Sequence, residues 1–250
     1  GYLPFRAAPQ GTVERKLSPG KPRRVEDGGA PHPKPGSPLP ARSLNDMIRA
    51  RDCPSIEPEI KPVPAHQMRD NAALQGGARV WGEPVLGWCD DMSDMFNQLF
   101  THVAQRFLTT ILWRGQDGRM LHILERSLGF GVTCNSNYAQ RFAYALVWLV
   151  MRTFDIEEER LFAAETDVSK RAWIAKRRAV SKRTGRNECR LYSVHIFTDD
   201  PVFQVVGLDR CIRLMVCWFR ITRRLNLRMA APEKRLGGTN GTGLGYHNFY

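Results

Sequence analysis

Apolar and polar positions sort into short runs over the second two-thirds of the chain. Val194-His195-Ile196-Phe197-Thr198 and Pro201-Val202-Phe203-Gln204-Val205-Val206-Gly207 flank Asp199-Asp200. That pattern predicts strand, tight turn, strand, with both acids at the tip. Val85-Leu86-Gly87-Trp88-Cys89 predicts a strand that ends at Asp90-Asp91. Met92, Met95, Phe96, Leu99 and Phe100 then recur at helical spacing. Residues 107–113 and 120–125 read as two strands of a hairpin around Arg114-Gly115-Gln116-Asp117-Gly118-Arg119. Asn135 or Ser136 can cap a long apolar helix over about residues 137–153. Asp209 starts a further helix whose apolar face holds Ile212, Met215, Val216 and Phe219, and short strands are predicted near 227–230 and 245–249. Strands and helices are interspersed without a βαβ rhythm, so the predicted class is α+β with a largely antiparallel sheet.

The first quarter reads differently. Thirteen of the sixteen prolines fall within the first 64 residues, which rules out regular structure throughout that region. Residues 1–42 are predicted to be a disordered or linker segment rich in Pro, Gly and charge. Ser43-Leu44-Asn45-Asp46 can cap a short helix through Arg51, and Pro54, Pro58, Pro62 and Pro64 then impose an extended path. Residues 65–84 give no clear pattern.

Charge and cysteine usage narrow the function classes. The formal net charge is +12 with a pI near 9.8, which points to a polyanion or an anionic surface, or to a basic soluble protein with no such partner. Six cysteines show no CxxC pair and no metal-finger spacing, so free thiols in a reducing, intracellular compartment are expected. No apolar run reaches membrane-spanning length. The start has neither Met nor a signal-peptide core, as expected of a fragment.

Asp91 and Asp199-Asp200 carry the candidate chemistry. If the two strand ends are neighbours in one sheet, three carboxylates converge on its rim. Such a cluster can hold two divalent metals about 3.5–4 Å apart, the arrangement for in-line phosphoryl transfer. The alternative is a solvated turn, since Thr-Asp-Asp-Pro is good turn chemistry by itself. A one-residue register slip would put Asp90 in the place of Asp91. Asp94 reads as a helix-start charge.

The order of motifs from residue 84 onward resembles the reverse transcriptases of retroelements. Asp91-Met92-Ser93-Asp94-Met95-Phe96 is similar to the first palm motif, an acid followed five residues on by an aromatic. Leu128-Gly129-Phe130-Gly131 resembles the second palm motif, with Gly129 where proline is common. Phe197-Thr198-Asp199-Asp200 resembles the YxDD box, with Phe197 in place of Tyr. Pro232-Glu233-Lys234 resembles the next motif, and Leu244-Gly245-Tyr246 the primer-grip strand. The resemblance implies a right-hand polymerase palm (an antiparallel sheet with packed helices) over 84–250, partial fingers or a linker over 43–83, and no thumb. It implies template-directed DNA synthesis from an RNA or DNA template-primer and dNTPs, with two Mg²⁺ ions (Mn²⁺ as the substitute), as part of a retroelement polyprotein. Asp91, Asp199 and Asp200 would be catalytic and metal-binding. Lys234 would protonate pyrophosphate. Met92, Ser93, Phe96, Phe130 and Gly131 would contact the nucleotide, Phe96 as a steric gate against a 2′-OH, unless Phe96 is simply a core aromatic. Lys61 and Arg69 are candidates for triphosphate contacts, and Leu244 and Gly245 for primer contacts.

An insertion over residues 154–190 interrupts the compact family pattern. Residues 170–190 hold nine basic residues against Glu188 alone. Lys170, Arg171, Lys176, Arg177, Arg178, Lys182 and Arg183, with Trp173 among them, suit sequence-independent phosphate contact. A solvated helix paired with the acidic stretch 157–167, or a localisation signal, fits the same composition. Two other functions stay open: a non-catalytic nucleic-acid-binding relic, and an RNA-templated RNA polymerase of viral type, against which the aromatic Phe96 argues.

Overall fold

A computed structural model describes residues 10–15, 18–26, 63–108, 110–129, 133–231, 237–238, 240–243 and 246–249. In chain order the elements are strands β1 (Gln10–Arg15) and β2 (Ser18–Glu26), helix α1 (Val63–Trp81), strand β3 (Val85–Cys89), and the single turn α2 (Met95–Gln98). The hairpin strands β4 (Thr110–Arg114) and β5 (Met120–Leu124) follow. Next come helices α3 (Thr133–Ala164) and α4 (Val168–Thr184), strands β6 (Tyr192–Phe197) and β7 (Asp200–Val206), and helix α5 (Leu208–Arg224). The short strands β8 (Gly237–Gly238), β9 (Asn240–Gly243) and β10 (Tyr246–Phe249) complete the order. The chain divides into one unit of residues 1–56 and 94–141 and a second of 57–93 and 142–250.

In the first unit, β1 and β2 pair antiparallel, within the stretch whose composition predicts no regular structure. The hairpin predicted from strands 107–113 and 120–125 is present as β4–β5, closed by Gly115 N–H to the Arg119 carbonyl, while Val103–Leu108 form a 3-10 turn in place of the start of the first predicted strand. Residues 99–101 run antiparallel to 126–128 through Leu128 N–H to Leu99 and Thr101 N–H to Arg126. Asp94 stands at the start of α2, where a helix-start charge is expected, at φ 49° and with no side-chain cap hydrogen bond. Phe96 is buried, as the core-aromatic reading has it.

The second unit is built on a four-stranded antiparallel sheet in the order β6-β7-β3-β8. The register fixes two faces. Trp88, Phe203, Val194 and Tyr192 share one. On it Trp88 stacks on Phe203 at 3.7 Å, Trp218 of α5 meets Phe203 edge-on at 5.1 Å, and Phe154 of α3 meets Tyr192 edge-on at 4.9 Å. Val85, Val206, Gln204, Ser193 and His195 share the other, under α1. There Leu74, Ala78, Val85, Leu191 and Val206 form a core with Phe162 and Ile174. Helices therefore cover both faces, and β7 is buried from Pro201 onward. This explains why its sequence reads as a continuous apolar run rather than an alternation.

The ambiguous stretch 65–84 is mostly helix α1, which packs on the sheet. Pro64 stands in its first turn, where no N–H is needed. Gly77 lets it approach the sheet, because a Cβ there would collide with the Leu191 side chain. The long helix α3 runs eleven residues past the predicted 153 end, through most of the acidic stretch. Its carboxylates meet α5. Buried Arg210 donates Nε to Glu158 at 2.6 Å, and Arg213 bonds Glu157 and Glu158, each at 3.0 Å. The predicted strand at 227–230 is reduced to a bridge between Met92 and Met229.

Candidate active site

Helix α5 can start abruptly after β7 because Gly207, at φ 85°, turns the chain where any Cβ would meet Glu83. β7 is thereby held against β3 in one register, from Val85 opposite Val206 to Cys89 opposite Val202. The register carries on beyond β3. Asp90 N–H donates to the Pro201 carbonyl at 3.2 Å, and Met92 N–H to the Asp199 carbonyl at 2.9 Å. Asp91 therefore stands opposite Asp200 in a non-hydrogen-bonded pair. That is the closer type, with Cα atoms about 4.5 Å apart and both side chains on one face. Phe197 pairs with Asp200 on the other side, so Phe197, Asp200 and Asp91 form one row at the rim. On the far side of Asp91, its carbonyl accepts from Ala230 N–H at 2.7 Å, and Ser93 N–H donates to Arg228 at 3.0 Å.

Asp90 and Asp91 are separated by the pleat. Asp90 is 3% exposed and accepts from Trp218 Nε1 at 2.9 Å and from Asp91 N–H at 3.0 Å. It points into the α5 side of the sheet and Asp91 to the other face, which decides against the slipped register. Asp91 and Asp199 are half-buried and Asp200 is exposed. The hairpin turn is Thr198-Asp199, with Thr198 at φ 55°. A β-branched residue in the left-handed region carries about 1–3 kcal/mol of strain, and such outliers gather at functional sites. Pro201 does not weaken the hairpin. Its carbonyl faces β3, so the N–H it lacks would also have faced β3 and not β6.

Behind the rim row on the same face lie Cys89, Val202 and His195. Burial pushes the Cys89 thiol up to about 11, with the Asp200 and Asp90 charges adding to it. His195 Nε2 stands 3.2 Å from Asp70 Oδ2 of α1, the approach of an ion pair rather than a well-aligned hydrogen bond. Burial acts to raise the Asp70 carboxyl, but His195 and Arg69 outweigh it and hold it below its ordinary value. Arg69, a candidate for triphosphate contact, is tied to Asp70 at 3.1 Å. Alternation along 191–198 is the signal that places His195 on the Asp200 face. Only the tertiary structure supplies its partner.

The backbone N–H groups of Met92 and Ser93 donate to the Asp199 and Arg228 carbonyls. Phe96 belongs to the first unit. Phe130, Gly131, Lys234, Leu244, Gly245 and Lys61 lie outside the described residues, as does the predicted helix at 43–51. The three rim acids are hard oxygen donors, the type that suits Mg²⁺ or Mn²⁺. Among the described residues, no three His, Cys, Asp or Glu side chains are gathered to hold a metal ion. The rim thus has the ligand type and the backbone arrangement, without preformed convergence of the side chains.

The basic segment divides. Asp167 caps α4 by accepting from Lys170 N–H at 2.9 Å, and Gly185 ends it at φ 69°. Arg177 bonds Glu188 at 3.0 Å, Arg178 pairs with Glu159, and Lys170 lies 4.0 Å from Glu165 and over the Trp81 ring. Lys170 and Arg178 thus pair with the acidic stretch 157–167, as one alternative expects, whereas Arg177 pairs with Glu188 of the basic segment itself. Arg171, Lys176, Lys182 and Arg183 are exposed. Trp173 packs edge-on to Trp81 at 5.0 Å and belongs to the core. No helix among the described residues is long and apolar enough to cross a membrane.

No protein-family profile and no curated protein matches the chain. Among solved structures it is similar to an apo telomerase from Candida tropicalis truncated from the C-terminal domain, at 11% identity and a TM-score of 0.43. That match covers 97% of this chain and 53% of the other, so this chain spans about half the length of the structure it resembles.

Proposed function

We propose that the chain is the catalytic palm of an RNA-directed DNA polymerase of retroelement type, adding deoxynucleotides to a primer 3′-OH on an RNA or DNA template. The observation that carries this reading is the in-register pairing of Asp91 with Asp200, with Met92 bonded to Asp199. It brings the first and third motifs of the resemblance to one rim, although more than a hundred residues separate them. Asp91, Asp199 and Asp200 would hold two Mg²⁺ ions, which when bound supply nucleophile activation and charge neutralisation. The chain's own contribution is positional. Trp218 pins Asp90 and so aims Asp91 outward, and the strained Thr198 turn fixes where Asp199 and Asp200 begin. Lys234 is proposed as the proton donor to pyrophosphate, and Phe96, Phe130 and Gly131 as nucleotide contacts.

Primer extension tests this. With Mg²⁺ and dNTPs the chain should extend a DNA primer on an RNA template, EDTA should abolish the product, and Asp199→Asn should lower the rate by about 10³-fold. Extension that survives Asp199→Asn unchanged removes the assignment. Preference for NTPs moves it to an RNA-templated RNA polymerase. Salt-sensitive binding without extension favours a non-catalytic nucleic-acid-binding module, the reading that the exposed cations of α4 support by themselves.

A further inference from the structure

We infer that the second unit carries a single-strand nucleic-acid site on α3, distinct from the acid rim and independent of whether the rim is catalytic. Tyr144, Trp148, Arg152, Ile156 and Arg160 follow one another at four-residue intervals and all line one cleft of about 910 Å³. Residues at that interval form a continuous ridge, here about 24 Å long at 1.5 Å per residue. On it the Trp148 indole is exposed to 66%, a high value for a tryptophan.

The charge of the cleft follows from its pairings. Asp155 is neutralised by Arg190, through bonds of 3.0 and 2.7 Å, and Glu159 by Arg178. Arg152 and Arg160 are exposed, and neither pairs with a carboxylate among the described residues. The acids lining the cleft are therefore already paired, and the surplus is two guanidiniums that follow Tyr144 and Trp148 along the helix. An open indole beside unpaired arginines is how single strands are held, bases on the ring and phosphates on the cations. A duplex keeps its bases stacked away from such a ring. The cleft also contains Arg190, which lies just before Tyr192. Tyr192 is at the opposite end of β6 from the Asp199-Asp200 turn, about 17 Å along the strand. A strand held here is thus not the group reacting at the rim.

The test is fluorescence anisotropy with labelled oligo(dT), labelled oligo(U) and a duplex of the same length. Trp148→Ala should weaken both single strands at least fivefold and leave the duplex unchanged, while Trp148→Phe retains most of the affinity. Arg152→Ala with Arg160→Ala should lower the slope of log K against log salt by about 1.4 for single strands, from two lost phosphate contacts. The Asp199→Asn chain should bind as the parent does, which separates this site from the polymerase reading. Parent-like binding by both sets of variants overturns the inference even if extension is intact. So does equal weakening of the duplex, or phosphatidylserine vesicles displacing the oligonucleotide from the parent but not from Trp148→Ala.

Discussion

Helices α4 and α5 are equal in length and both rich in cations, yet their charges do opposite things. Arg210 and Arg213 of α5 meet the carboxylates that α3 brings to them. Arg210 is buried beside Glu158, with side-chain exposures of 8% and 4%. Burial works against the Arg213 charge, but Asp209, Glu157 and Glu158 together raise its pKa above the ordinary value. Helix α4 spends Lys170, Arg177 and Arg178 in the same way and leaves Arg171, Lys176, Lys182 and Arg183 on the solvent face. The difference teaches that cation density identifies a charged helix but not its use. The position of the carboxylates decides whether a cation holds the fold or is left for a partner.

Arg210→Met should break the comparison most severely on the α5 side. It takes one of the two guanidiniums from buried Glu158 and leaves only Arg213, and the unfolding free energy measured in urea should fall by about 3 kcal/mol. Pairing it with Glu158→Leu should restore most of that loss, because two apolar side chains leave no buried charge. Trp218→Phe is expected to be milder. It keeps a ring against Phe203 but takes the donor from Asp90, at about 1–3 kcal/mol. Primer extension should fall while the protein stays folded, since Asp90 no longer fixes the direction of Asp91. Replacing Arg171, Lys176, Lys182 and Arg183 by Ala should change stability by no more than about 0.5 kcal/mol. The same variant should weaken salt-sensitive nucleic-acid binding, with the salt slope falling by about 0.7 for each phosphate contact removed from a single strand. A stability loss as large as that of Arg210→Met would mean that α4 is anchored as α5 is.

The rim was legible in outline. Two apolar runs around Asp199-Asp200 and one before Asp90-Asp91 predict strand ends, and the structure has strands ending there. Which acid of Asp90-Asp91 faces out was open, because alternation assigns opposite faces without saying which is which. The Trp218 indole on α5, 128 residues away, decides it. Helix α1 was hidden because its Gly-Gly pair and mixed polarity give little amphipathic signal. It is a helix because one side packs on Leu191 and Val206. The basic segment was visible as composition, but its division into paired and unpaired cations depends on where α3 ends and on the turn that brings α4 back beside it.

Sequence by itself determined the alternation of apolar and polar residues, and with it the strands, the helices and the clustering of acids at strand ends, since these depend on neighbours a few residues apart. Only the tertiary structure decided the register that sets Asp91 against Asp200, the burial of Asp90, and which arginines lost their freedom to Glu157, Glu158 and Glu159. Those outcomes depend on contacts between segments far apart in the chain, and a local pattern carries no information about which distant group will supply the partner.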